Sequence, residues 1–155
     1  MSDAVVLASI DLTAESSARA VIREAAFEAA ARGFSLTVVA VVPEAFTGLD
    51  WRYVIRGSRQ QVPAGERKEL VKQTLARVNE LVAEETAEDM ETNTIALLGV
   101  VYEKVLAAAN ELRASLVVIA AGTESGTGLQ DLGPNATRVA RHARCPVLLV
   151  RHDEA

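Results

Sequence analysis

Aromatic side chains are scarce: six of 155 residues are Phe, Trp or Tyr, while half the chain is apolar. The core must therefore be assembled from Val, Leu, Ile and Ala. Cysteine occurs once, at Cys145, which rules out an internal disulfide and fits a reducing compartment. Basic residues are outnumbered, 16 Lys and Arg against 21 Asp and Glu, and the net charge is −5. A nucleic-acid surface needs a concentrated positive field, so no such partner is expected. No apolar run approaches the roughly 18 residues of a membrane helix. Met1 to Ile10 carries Asp3, lacks a basic n-region and shows no small-residue cleavage site, so the expected location is the cytoplasm. The histidines are not at ligand spacing, and no metal site is expected. Neither G-x-G-x-x-G nor G-x-x-x-x-G-K-[ST] is present, which removes the usual dinucleotide and P-loop readings.

Five short apolar runs are present: Ala4–Ile10, Leu36–Val42, Thr94–Leu98, Leu116–Ala121 and Val147–Val150. Four are nearly continuous in Val, Leu, Ile and Ala, the pattern of strands covered on both faces. The third alternates more weakly and reads as an edge. Helical patterns lie between them. Thr13 is placed to cap a first helix in which Ala18, Ile22, Ala25 and Ala29 recur until Gly33. Pro63 precedes a second, carried by Val71, Leu75, Val78 and Val82. The acids Glu84, Glu85, Glu88, Asp89 and Glu91 oppose its C-terminal dipole, so fraying is expected there. A third follows Gly99 through Val105, Ala109 and Leu112, and a fourth spans about Asn135 to His142. Regular β-α alternation with right-handed crossovers implies a single α/β domain over residues 1–155. It is a doubly wound, Rossmann-like parallel sheet of five strands with helices on both faces.

Residues 43–62 break the pattern, with no periodicity over about twenty residues, a length that is uncommon for structureless loops. The segment holds Trp51, Tyr53, Arg52, Arg56 and Arg59. It reads as a surface flap, as a lid whose arginines reach an anion, or as a partner contact.

The tail is the most informative stretch. A buried strand runs into Gly122, and Gly126, Gly128 and Gly133 follow before a short helix. Glycines there let a ligand approach the main chain, and free N–H groups at a turn before a helix suit phosphate oxygens. By itself this reads equally as a phosphate cradle or as an ordinary turn. Together with Arg141-His142-Ala143-Arg144-Cys145-Pro146-Val147-Leu148-Leu149-Val150, however, the loop resembles the universal stress protein (UspA-type) family. That family shows a G-x-x-G-x9-G-[ST] loop and then a helix ending near "RHA-x-CPVLVV". Val6 to Thr13 resembles its first strand and "VDGS" end, and Ser115 to Gly122 its "ADLIVMG" strand.

The resemblance implies strand order 3-2-1-4-5 and a non-catalytic stress-response binding module. It implies adenine-nucleotide (ATP) binding, with Mg2+ if bound, at Asp11, Val41, Gly122 and Gly133; within the loop Thr123, Ser125, Thr127 and Asn135 are available as further donors, and Gly126 is placed in the same site. It also implies homodimerisation through Val147, Leu148, Leu149 and Val150. An apolar terminal edge strand is independently safer when paired with its copy. The chain departs from the family in the loop. Ser125 stands for the second glycine, seven residues rather than nine separate it from Gly133, and Pro134 replaces the Ser or Thr. Proline offers neither hydroxyl nor N–H.

Asp11 is placed either to hydrogen-bond ribose hydroxyls or to cap the first helix. His142 complements the dipole of a short helix, Tyr102 packs, and Cys145 is a buried, inert thiol. The alternatives to a nucleotide-binding module are a weak nucleotide hydrolase or switch and an adaptor acting through the 43–62 loop. No P-loop lysine or nucleophile elbow supports catalysis.

Overall fold

A computed structural model describes residues 3–43, 67–122 and 132–152. The 43–62 loop beyond Pro43, and Thr123, Ser125 and Gly126, lie outside the described residues. The strands are β1 (Val5–Ile10), β2 (Ser35–Pro43), β3 (Thr92–Gly99), β4 (Leu116–Ala120) and β5 (Val147–Val150). The helices are α1 (Glu15–Arg32), α2 (Arg67–Glu85), α3 (Val101–Leu112) and α4 (Pro134–His142). All five strands join one sheet in the order β3-β2-β1-β4-β5, every pair parallel. The expected α/β topology is the one observed, with β3 at an edge.

The continuous apolar strands serve two cores because successive side chains alternate across a sheet. Val6, Ala8 and Ile10 of β1 face one side, with Ala25 and Ile22 of α1 and Val78 and Leu81 of α2. Leu7 faces the other, with Val105 and Ala109 of α3 and Ala136 and Val139 of α4. Alanine supplies much of the helical contact, which lets the helices sit close on a surface of branched strand residues.

The helix ends differ from expectation in three places. The N-cap of α1 is Ala14, not Thr13, and no side chain caps the helix. The Thr13 hydroxyl is instead engaged by Asp11, donating to Oδ1 at 2.6 Å, so it is turned back toward β1. The acidic end of α2 remains helical through Glu84 and Glu85. Arg19 on α1 binds both, at 2.6 and 3.0 Å, and Arg23 binds Glu85, so the charges that oppose the dipole are neutralised from the neighbouring helix. These carboxylates, Glu84 foremost, push the Arg19 guanidinium pKa above its ordinary value. Finally, α4 begins at Pro134, one residue earlier than read, because proline suits the first helical position, where its missing N–H leaves no bond unmade. β3 likewise extends to Thr92, since Thr92 and Asn93 pair with Leu36 and Thr37 despite being polar.

Candidate nucleotide site at the strand C-termini

β1 ends at Ile10, which is paired with Ala40, whereas β2 continues through Val41 and Val42 to Pro43. These last three residues stay in register with Leu97, Leu98 and Gly99 of β3. Their opposite main-chain edge, toward β1, therefore has no strand partner among the described residues. The chain turns away from β1 at Asp11, and a pocket opens in the space left. It is lined by Asp11, Leu12, Thr13, Val41, Pro43 and Thr74, with Ala40 and Val42.

Each polar wall has a local cause. Asp11 Oδ1 accepts from the Thr13 N–H at 2.9 Å as well as from its hydroxyl, and the Ala14 N–H reaches the Asp11 carbonyl at 3.1 Å. This side-chain-closed turn is the form aspartate takes before a helix. It holds the carboxylate at the pocket rim with Oδ2 outside the turn. Thr74 comes from α2, a residue that the sequence reading did not single out. Its hydroxyl donates to the Leu70 carbonyl one turn back at 2.8 Å, which leaves its methyl to the pocket. The only signal for it was a lone threonine among the apolar positions of a helix. Arg77, one turn further along α2, pairs with Glu15 in the first turn of α1 and with Glu80.

On the other side of β1 lies β4, with Ser9 level with Ile119. Two residues past the described strand, Gly122 stands one position from the level of Asp11. The chain leaves β1 toward β2 and, after β3, crosses to β4, so the winding direction reverses between β1 and β4. Ligands of open α/β sheets bind in such a crevice. Asp11, Val41 and Gly122 are thus brought to one rim, as read from the sequence.

The glycine turn is narrower than a free cradle. The Gly122 N–H donates to the Leu132 carbonyl at 2.7 Å. A Cβ on Gly122 would lie 2.8 Å from the Gly133 nitrogen and 2.9 Å from its Cα. Gly133, at φ +80°, caps α4 in a conformation closed to most side chains. Gly122 is therefore glycine because two main-chain segments touch there, and its amide is already committed. In this structure the Gly122 N–H is therefore engaged within the chain. Pro134 has no N–H, so the first-turn amides left for an anion are those of Asn135 and Ala136. Among the described residues no group of three or more His, Cys, Asp or Glu is arranged to hold a metal.

The remaining singled-out residues are structural. Tyr102 stacks under the Arg138 guanidinium, 4.7 Å from the ring centroid, joining α3 to α4. His142 occupies the last turn of α4. Cys145 is partly buried against the α3–α4 core, and that burial pushes its thiol pKa up, a hydrogen bond with the Val117 backbone acting the other way. In β5, the carbonyls of Pro146 and Val150 accept from Val117 and Ala121 beside β4. By alternation the main chains of Val147 and Leu149 point outward from the sheet edge. Among the described residues, no helix is long and apolar enough to cross a membrane.

Comparison with known proteins agrees with this fold. A universal stress protein from Archaeoglobus fulgidus is 22% identical and superposes with a TM-score of 0.64, over 94% of this chain and 97% of that one. The Archaeoglobus fulgidus protein in complex with dAMP is 20% identical, with a TM-score of 0.61 over 94% and 96%. A universal stress protein in complex with cAMP is 18% identical, with a TM-score of 0.61 over 96% of each chain. No curated protein matches the sequence. The family model described as "Universal stress protein family" matches residues 5–151, nearly the whole chain, and the protein belongs to that family.

Proposed function

We infer that the protein is a non-catalytic binding module that takes an adenine nucleoside or its phosphates at the C-terminal rim of β1 and β2. The observation that carries this reading is the three-residue overrun of β2 past β1 beside Asp11. On the side facing β1 this edge offers the main-chain N–H and C=O of Val41 and the carbonyl of Pro43, which has no N–H, for the edge of a base. The carboxylate of Asp11, with Oδ2 outside its turn, is placed for two ribose hydroxyls. Relatives solved with dAMP and cAMP support an adenine ligand. If Mg2+ takes part, it arrives with the phosphates.

Calorimetric titration with adenosine and AMP tests the reading. Asp11→Asn keeps an oxygen for Thr13 but removes the charge, and it should weaken binding about tenfold, the scale of one charge-assisted hydrogen bond. Equal affinity in wild type and variant would refute the site. Phosphate release from ATP that tracks the protein through purification would favour a hydrolase instead.

The protein works as a homodimer joined through β5. The outward main chains of Val147 and Leu149 form an apolar edge strand, which is stabilised by pairing with its own copy. Sedimentation should give twice 16.5 kDa. Leu149→Pro removes an outward N–H without touching the β4 ladder and should yield a folded monomer. A monomeric wild type would overturn the pairing.

A further inference from the structure

Three polar side chains are buried among the described residues: Thr74 at 1% exposed, Thr37 at 2% and Ser9 at 6%. A hydroxyl taken out of water without gaining a bond is unfavourable, so each of them calls for a partner. Thr74 has its partner in the Leu70 carbonyl. The hydroxyls of Ser9 and Thr37 have none among the described residues. By alternation both lie on the α3–α4 face of the sheet, in the rows of Leu7 and Val39. Thr37 sits deep in the sheet, level with Leu7 and Asn93. Ser9 is the last residue of β1 on that face, level with Val39 and Ile119 and two positions before Asp11. At about 3.3 Å per residue it stands roughly 7 Å below the rim, on the floor of the crevice where the winding reverses.

We propose that Ser9 is a further ligand-binding residue, whose hydroxyl donates to the edge of the nucleoside that joins base to ribose, at base N3 or the ribose ring oxygen. The proposal rests on the nucleoside site inferred above. In that site Val41 and Pro43 of β2 take one edge of the base, and Asp11 takes the ribose hydroxyls. A nucleoside so held bridges the ends of β2 and β1, and the edge between its two anchors is the one left for a donor on β1. The surroundings of Ser9 select a neutral acceptor. Val39 and Ile119 flank it and Leu7 precedes it on the same face, so a phosphate brought there would lose its water for a single donor. Burial also prepares the bond. The hydroxyl is already out of water in the free protein, so pairing with the ligand needs no further desolvation of the donor.

Calorimetric titration of the full chain with adenosine and two analogues tests this. Ser9→Ala should weaken adenosine about five- to tenfold, the scale of one neutral hydrogen bond. The same variant without ligand should melt no lower than wild type, because no internal bond is lost. Thr37→Val removes the other unpaired hydroxyl, far from the rim, and should leave affinity within about twofold. The Ser9→Ala penalty should vanish with 3-deazaadenosine, which lacks N3, or with carbocyclic adenosine, which lacks the ring oxygen. A penalty that persists with both analogues would overturn the proposal. So would a ligand-free Ser9→Ala that melts below wild type, or equal losses of affinity in Ser9→Ala and Thr37→Val. If Asp11→Asn weakens adenosine and Ser9→Ala does not, the proposal falls and the rim site stands. A wild type that fails to bind adenosine would overturn both.

Discussion

Replacing Gly122 with Ala tests the claim that two main-chain segments meet at the mouth of the glycine loop. Gly122 does not have positive φ, so at an open site alanine would stabilise the fold by about 0.4–1 kcal/mol through the unfolded chain. Here the new methyl would lie 2.8 Å from the Gly133 nitrogen and 2.9 Å from the Leu132 carbonyl carbon. Both are backbone atoms, so no flexible side chain can swing aside. Separating the segments lengthens the 2.7 Å bond from the Gly122 N–H to the Leu132 carbonyl, with a loss of about 1 kcal/mol. Overpacking adds about 1–3 kcal/mol. Net destabilisation should be about 2 kcal/mol, which for a chain of this size lowers Tm by roughly 4–8 °C. Gly33→Ala is the control: nothing lies within 4 Å of its Cβ, and only its φ of +72° opposes the change. Thermal unfolding followed by circular dichroism measures both. A Gly122→Ala protein as stable as wild type would refute the packing argument.

Other outcomes follow from the same geometry. Arg77→Met removes partly exposed pairs with Glu80 and Glu15, so Tm should fall by no more than about 3 °C, and the fall should shrink in high salt. Cys145 should react slowly with iodoacetamide at neutral pH and faster as the pH rises past the ordinary thiol value of 9.0, because burial favours the neutral form. The corresponding stability contribution is full below that value and is lost as the pH rises through the folded-state pKa, which pH-dependent melting curves will register. With the Gly122 amide engaged and Pro134 lacking one, ATP should bind within about tenfold of adenosine by calorimetry.

The topology was legible because each strand is covered on both faces and reads as a continuous apolar run. Val147–Val150 could be bounded to the residue, since Pro146 and Arg151 end it sharply. The rim was legible through two anchors, Asp11 and Gly122, that a parallel sheet had to bring together. What escaped was set by contacts between elements. Thr13 has the composition of a cap, but an aspartate two residues earlier captures its hydroxyl. The end of α2 reads as self-repelling only until Arg19 and Arg23 arrive from another helix. Thr74 lines the pocket because of the depth at which α2 crosses β2, which no local pattern encodes. The committed amide of Gly122 depends on where the chain returns, at Leu132.

The closure of Gly122 on Leu132 has an evolutionary side. The bond fastens the two ends of the intervening segment to each other, so the sheet and α4 register a neck and not what is threaded through it. Loop-closure entropy changes only with the logarithm of length, about 0.6 kcal/mol per doubling. Adding or removing a residue or two there therefore leaves the scaffold almost indifferent. A lineage can change the length of that segment while the rest of the molecule stays as it was.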